Sequence, residues 1–264
     1  MDDNRIIYER HDGLGIRQDQ HVAVIGCGGI GSWISLYLGL AGVNNIDIYD
    51  SDVISENNLN RFPLGPSSVG LNKAEAMAIH IQSLRQGVNV TPRQNFEPDI
   101  HSNKLRQYNW VIVSTDSLKS RRMIYDEVVK ASRENSYHIG YIECGADGHH
   151  ATVTFSPATM STAEETNPGY RSIPVFVGPC TMAASIAAYY VLLATPYDYE
   201  RIHRVDWDIY APIPILRLTT INEADEEIEV VEEDYLLNED ASGDDHPLED
   251  IRLVDREADN EQAI

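Results

Sequence analysis

Between Gly26 and Lys73 the chain gathers the residue types that a phosphorylated ligand needs. Gly26, Gly28 and Gly31 occupy a GxGxxG pattern straight after an apolar run, Val22 to Ile25. Glycine at such places lets the backbone turn out of a strand, approach phosphates closely and pack a helix on a sheet. The free amides at the helix start then face an anion. Asp50 follows Gly26 by twenty-four positions, where a carboxylate reaches ribose hydroxyls. Beyond it stand Asp52, Asn57, Asn58, Asn60 and Arg61, and then Lys73. Two fixed cations and several amides beside a nucleotide suit chemistry at the phosphates, where negative charge accumulates as pyrophosphate leaves. Hydride transfer makes no such demand. Taken alone, the fingerprint also fits a glycine turn in some other parallel sheet; the polar run after it is the more specific feature.

These residues need a βαβ unit to bring them together. Val22 to Ile25 reads as a strand, Gly29 to Gly42 as a helix apolar on most sides, and Ile46 to Asp50 as the next strand, entered by a turn at Asn44-Asn45. A second helix is expected from Leu71 to Gln86 with Gly87 as its stop, then a short strand near Val88 to Thr91. Trp110 to Ser114 is a continuous apolar run, the mark of a strand covered on both faces. Asp116 lies just past its carboxyl end, the edge at which open parallel sheets hold ligands. Asp116 also fits the N-cap of the helix that begins LKSRRMIYDEV. Further strands are expected at Tyr137 to Cys144, His150 to Ser156, Arg204 to Tyr210 and Ile215 to Ile221, with a helix from Cys180. The fold class is therefore α/β: a Rossmann-like, mostly parallel sheet flanked by helices, with antiparallel strands added on the C-terminal side.

With these motifs in place the chain resembles the ThiF/MoeB/HesA family, whose fold is shared with the adenylation domains of ubiquitin-activating enzymes. The resemblance rests on GCGGIG (Gly26 to Gly31), DSDV (Asp50 to Val53), NNLNRF (Asn57 to Phe62), GLNK (Gly70 to Lys73) and STDS (Ser114 to Ser117). It covers about residues 20 to 200. It implies ATP as substrate, bound by Gly26, Gly28, Gly29, Gly31, Asp50, Asp52, Asn57, Asn58, Arg61, Lys73, Asp116 and Ser117. It implies Mg²⁺ on Asp116, catalysis by Arg61, Lys73 and Asp116, and a dimer in which an arginine from the N-terminal segment reaches the partner's phosphates. Arg10 is the nearest match for that arginine, with Arg5 as an outside option, and a solvated surface arginine is the alternative. Phe62 stands where relatives often carry glutamine.

Composition narrows the classes. No apolar run of about 18 residues exists and MDDNRIIYER lacks the apolar segment of a secretion signal, so a soluble, cytoplasmic protein without membrane contact is expected. Cys27, Cys144 and Cys180 are too few and too far apart for a disulfide framework or paired CxxC, so no zinc is expected. Charge is uneven: Asn222 to Ile264 holds 18 Asp and Glu against 2 Lys and Arg, a net −16 of the total −22, leaving −6 for residues 1–221. Such a tail repels polyanions, which disfavours nucleic acid. The domain reading is an N-terminal arm at 1–20, an ATP-binding adenylation domain at 21–221 and an acidic, disordered tail at 222–264.

Ser156 to Arg171 reads as a mobile loop. In relatives a loop there supplies an acyl-accepting cysteine, and here the corresponding place, near Tyr170 or Arg171, has none. Cys180 reads as a buried packing cysteine, with a reactive thiol at a helix start as the other option. The favoured function is ATP-dependent adenylation of the C-terminal carboxylate of a ubiquitin-like or sulfur-carrier protein. Activation of a peptide or a modified tRNA base, an NAD-dependent oxidoreductase and a non-catalytic partner subunit stay open. The run GSW, Gly31 to Trp33, occurs in some family members that act on tRNA.

Overall fold

The computed structural model describes residues 6–97, 103–134, 138–155, 174–193, 202–208, 215–221 and 227–231. One nine-stranded sheet runs β3-β2-β1-β4-β5-β6-β7-β8-β9. Its strands are β1 (His21–Ile25), β2 (Asn45–Tyr49), β3 (Asn89–Arg93), β4 (Trp110–Val113), β5 (Gly140–Asp147), β6 (His150–Thr154), β7 (Ile202–Asp208), β8 (Ile215–Ile221) and β9 (Glu227–Val231). The pairings from β3 through β5 are parallel. Those from β5 to β9 are antiparallel. This is the expected α/β sheet with its antiparallel C-terminal addition. β9 falls within the stretch read as tail, on the apolar island at Ile228 to Val231.

The apolar patterns explain the layering. β1 and β4 are buried along almost their whole length because helices cover both faces. On one face α1 (Gly31–Ala41), α2 (Lys73–Leu84) and α4 (Val177–Leu193) pack over Val22, Val24, Ile46, Ile48, Ile112 and Ile142. On the other, α3 (Leu118–Glu134) lays Ile124, Val128 and Ala131 over Ala23, Val111 and Val113. The i, i+4, i+7 spacing of those three makes one stripe, and the opposite side of α3 is charged. α1 ends where expected: Gly42 takes φ 86°, and the amides of Gly42 and Val43 return to Gly39 and Leu38.

The strand order has a physical consequence for the site. The order in which strands are added across the sheet reverses at β1, with β2 on one side of it and β4 on the other. Loops after β1 and β4 therefore part at the carboxyl edge and leave a crevice there.

Candidate active site

The glycine turn is shaped by what each glycine touches. Gly26 has φ +93°, and a Cβ there would meet Thr115 N at 2.9 Å. At Gly31 a Cβ would overlap the Gly26 carbonyl oxygen, and Ser114 Oγ donates to that same oxygen at 2.8 Å. At Gly29 it would stand 2.8 Å from Arg61 Cδ and 3.1 Å from Cys180 Sγ. At Gly28 it would meet nothing within 4 Å. The loop is thus packed against the protein on every side but one, and the open side is at Gly28.

Asp50 and Arg61 are held to this loop by their side chains, and Lys73 approaches it through its backbone carbonyl. Asp50, almost buried, accepts the Cys27 amide on Oδ2 at 2.7 Å and the Asp52 amide on Oδ1 at 2.8 Å. Each carboxylate oxygen keeps a further lone pair for a ligand hydroxyl. Lys73 starts α2; its amide donates to Asp52 O, and its carbonyl lies 3.8 Å from Cys27 Sγ. Its ammonium donates to Asp52 Oδ2 at 2.8 Å, with the lysine side chain 12% exposed and the aspartate 70%. Arg61 lays its stem on Gly29 and donates from Nη1 to Asn57 O at 2.9 Å and Asn60 Oδ1 at 2.8 Å. Asn57 and Asn58 bond to each other and to Ser55, which orders the turn that carries Arg61.

Asp116 is exposed on the loop after β4, next to the Ser114-Thr115 contact with Gly26. The helix-capping role weighed for it belongs to Ser117, whose Oγ accepts the Ser120 amide at 3.2 Å. Arg10 lies elsewhere. It is exposed in the short turn Glu9–His11, just after Tyr8, which packs against Gly42. Gly42 closes the end of α1 away from the glycine loop, about 16 Å along an eleven-residue helix. Arg10 is thus not among the residues gathered at its own chain's glycine turn. Phe62 is buried in the core and offers no polar contact.

Three supports escaped the motif reading. Asn72 caps α2 by accepting the Glu75 amide and donates to the carbonyls of Asp50 and Asp52 at 3.0 and 3.2 Å. An asparagine directly before a helix was the signal for it. Trp33 Nε1 donates to Arg61 O at 2.9 Å. Arg121 binds Thr115 O at 2.7 Å and the buried Glu143 at 2.9 Å, and Tyr141 donates to the other oxygen of Glu143. The charge of Glu143 inside an apolar strand was itself the clue, since a buried carboxylate needs a partner.

All three thiols are buried and free. Burial pushes Cys180 up to about 11 despite the nearby Arg61 charge, and pushes Cys144 up to about 12 despite Arg121. Cys27 is raised well above its ordinary value, first by burial and then by Asp50. The expected mobile loop and the place of the missing cysteine lie outside the described residues. Among the described residues no three His, Cys, Asp or Glu cluster to hold a metal. A depression of about 540 Å³ on the outer side of α3, lined by Arg122, Tyr125 and Asp126, lies apart from these residues.

The ThiF family profile matches residues 10–193, well over half of the chain. The chain belongs to the ThiF family. Among relatives of this ThiF chain, the NEDD8-activating enzyme E1 catalytic subunit of Dictyostelium discoideum is 42% identical over 111 residues, 42% of this chain and 25% of that protein. The probable adenylyltransferase/sulfurtransferase MoeZ of Mycobacterium tuberculosis is 32% identical over 136 residues, 48% of this chain and 35% of that protein. These matches span only about a quarter to a third of the relatives' length. The fold is also that of E. coli MccB with AMPCPP and MccA, at TM-score 0.65 and 19% identity over 83% of this chain and 72% of that one. No helix among the described residues is long and apolar enough to cross a membrane.

Proposed function

We propose that this ThiF-family chain is an ATP-dependent adenylyltransferase acting on a C-terminal carboxylate. A carboxylate oxygen attacks the α-phosphorus of ATP, the bond from that phosphorus to the bridging oxygen breaks, and pyrophosphate leaves with the electron pair. The product is an acyl-adenylate. The observation that carries the reading is the arrangement around the glycine loop: a Cβ at Gly28 would meet open space, the Asp50 carboxylate holds the Cys27 amide, the Lys73 carbonyl lies beside Cys27 Sγ, and the Arg61 stem rests on Gly29.

Both reactants are anions, so the residues must offset charge and hold them in line. Arg61 and Lys73 serve the charge that builds on the phosphates, Asp50 the ribose, and the loop amides with Asn57, Asn58, Asp52 and Ser117 the nucleotide. Lys73 rests on Asp52, and transfer of its ammonium to phosphate leaves the exposed carboxylate to water. Asp116 would hold Mg²⁺, a hard cation that takes one or two carboxylates and completes its shell with phosphate oxygen and water. One exposed carboxylate without a partner among the described residues fits that need. Held there, Mg²⁺ would offset the charge of the phosphate oxygens. Arg10, away from its own glycine turn, acts on the phosphates of a second copy, which makes the working unit a homodimer.

The carboxylate is that of a ubiquitin-like or sulfur-carrier protein, a class supported by the relatives named as NEDD8-activating and adenylyltransferase/sulfurtransferase enzymes. With every described cysteine buried and held protonated near neutral pH, the adenylate passes to a separate acceptor. Reduced, free thiols accord with a cytoplasmic setting. The test is ATP–pyrophosphate exchange in the presence of carrier. Lys73→Ala and Arg61→Ala are each expected to lower exchange by about 100-fold or more with unchanged circular dichroism. Exchange at wild-type rate in both variants, or retained NAD binding with no ATP binding, overturns the proposal.

A further inference from the structure

We infer that Trp33 is a positioning residue for Arg61, acting through the backbone rather than through the guanidinium. The inference rests on the reading of Arg61 as the group that meets phosphate charge.

The turn carrying Arg61 lies at the edge of the core, with Leu59 and Phe62 packed inward and its polar residues outward. Asn57 and Asn60 are exposed, and the turn belongs to no strand or long helix. A guanidinium on such a turn drifts unless the backbone beneath it is tied down. On the amide side Arg61 N donates to Asn58 O at 3.0 Å, a bond internal to the turn that moves with it. The carbonyl side reaches outward, and Arg61 O accepts the Trp33 indole N–H at 2.9 Å. Trp33 sits in the first turn of α1, two residues after Gly31. One hydrogen bond therefore joins the phosphate loop and the arginine turn through a rigid helix that is continuous with the loop.

The rest of Arg61 amplifies this link. Its stem lies on Gly29, where a Cβ would come within 2.8 to 2.9 Å of Cδ and Cγ, so the side chain has no clearance below it. Nη1 is occupied by Asn57 O and Asn60 Oδ1. Asn60 Nδ2 in turn donates to Val175 O at 3.2 Å, just before α4. Nε and Nη2 are left with donors for a ligand lying over Gly28. Their position relative to that ligand is set by where the turn sits on α1. A misplacement of about 1 Å at such a group costs up to about 100-fold in rate.

The indole has two functions that separate by substitution. Its ring packs on the core and against Tyr37, with centroids 5.9 Å apart, and phenylalanine retains most of that contact. Only the N–H reaches Arg61 O, and phenylalanine lacks it. Trp33→Phe is expected to lower kcat for ATP–pyrophosphate exchange about tenfold and to move KM for ATP less than about twofold, because the ribose and loop contacts remain. In an Arg61→Ala background the same substitution is expected to have no further effect, as it acts only through the missing side chain. If Arg61→Ala falls below the assay floor, the comparison is made on Arg61→Lys, where the loss should shrink.

A second measurement needs no Trp33 variant. The chain has three tryptophans, and the Trp33 indole N–H resonance should shift when ATP is added to the wild-type protein and stay in place in Arg61→Ala. An unchanged exchange rate in Trp33→Phe, an equal loss in both backgrounds, or an indole resonance indifferent to ATP overturns the inference. Wild-type exchange in Arg61→Ala instead overturns the reading of Arg61 on which it rests.

Discussion

Gly28 and Gly31 share a motif but answer to different physical demands. Gly31 is required by the fold, because any side chain there overlaps the backbone of Gly26 and reaches Ser114. Gly28 is unconstrained by the protein, so its small size is required only by what binds over it. Gly31→Ala is therefore expected to lower the melting temperature as well as abolish ATP binding. Gly28→Ala should melt within about 2 °C of wild type, as surface changes usually do, yet weaken ATP by about tenfold or more. Calorimetric titration with thermal denaturation on both variants checks this, and equal behaviour of the two would show that the open side of the loop is not where phosphate rests. Asp50 illustrates the same division, since its carboxylate already holds the loop amide and presents only its remaining lone pairs to a ligand.

At the level of elements, the loop after β4 is positioned by α3 and β5 together. Arg121, one turn into α3, bonds Thr115 O and the buried Glu143 of β5, and so fixes the backbone beside Asp116. Removing the carboxylate leaves a mostly buried guanidinium with an uncompensated charge, a change worth about 3–5 kcal/mol. Glu143→Ala is expected to lower the melting temperature by roughly 6–20 °C for a domain of this size. It should also raise the Mg²⁺ concentration needed for half-maximal exchange, because Asp116 loses its fixed position. A melting temperature within about 2 °C of wild type would remove this pair from the account of the loop. Glu143 was visible in the sequence as a charge in an apolar strand, whereas Arg121, 22 residues away, was one cation among several on a charged helix. Helix α3 has a clear face, but only packing decides which of its arginines turns inward.

Across the whole molecule a second polar network lies under the sheet. Asp47, buried in β2, accepts Tyr108 Oη at 2.7 Å and Arg93 Nε at 3.2 Å, with His21 at 3.6 Å. Burial opposes its ionisation, yet the hydrogen bonds from His21 and Tyr108 and the Arg93 charge prevail and hold the carboxyl below 3.8. The folded state thus binds fewer protons than the unfolded state near that value. The stability from Asp47 is present in full above the unfolded pKa and is lost as pH falls through the lower folded one. Asp47→Asn is expected to melt below wild type near neutral pH, with the difference shrinking as the pH is taken to about 3. A difference that stays constant with pH would assign the effect to packing alone.

Residue order was enough to determine the βαβ unit and the crevice edge, because strand and helix periods and turn chemistry are local properties. It was enough, too, to mark Cys180 as a core residue, since small apolar neighbours surround it along the chain. Proximity in space was not local, and tertiary structure alone decided it. Nothing in the chain order shows that Arg61 rests on Gly29, that Trp33 holds its carbonyl, or that Ser117 rather than Asp116 caps α3. Arg10 is the plainest case: its residue type suits phosphate, but Tyr8 packed on Gly42 places it away from its own glycine loop. Short-range preferences select the elements, and the packing of elements that are distant in sequence decides which side chains face a common space.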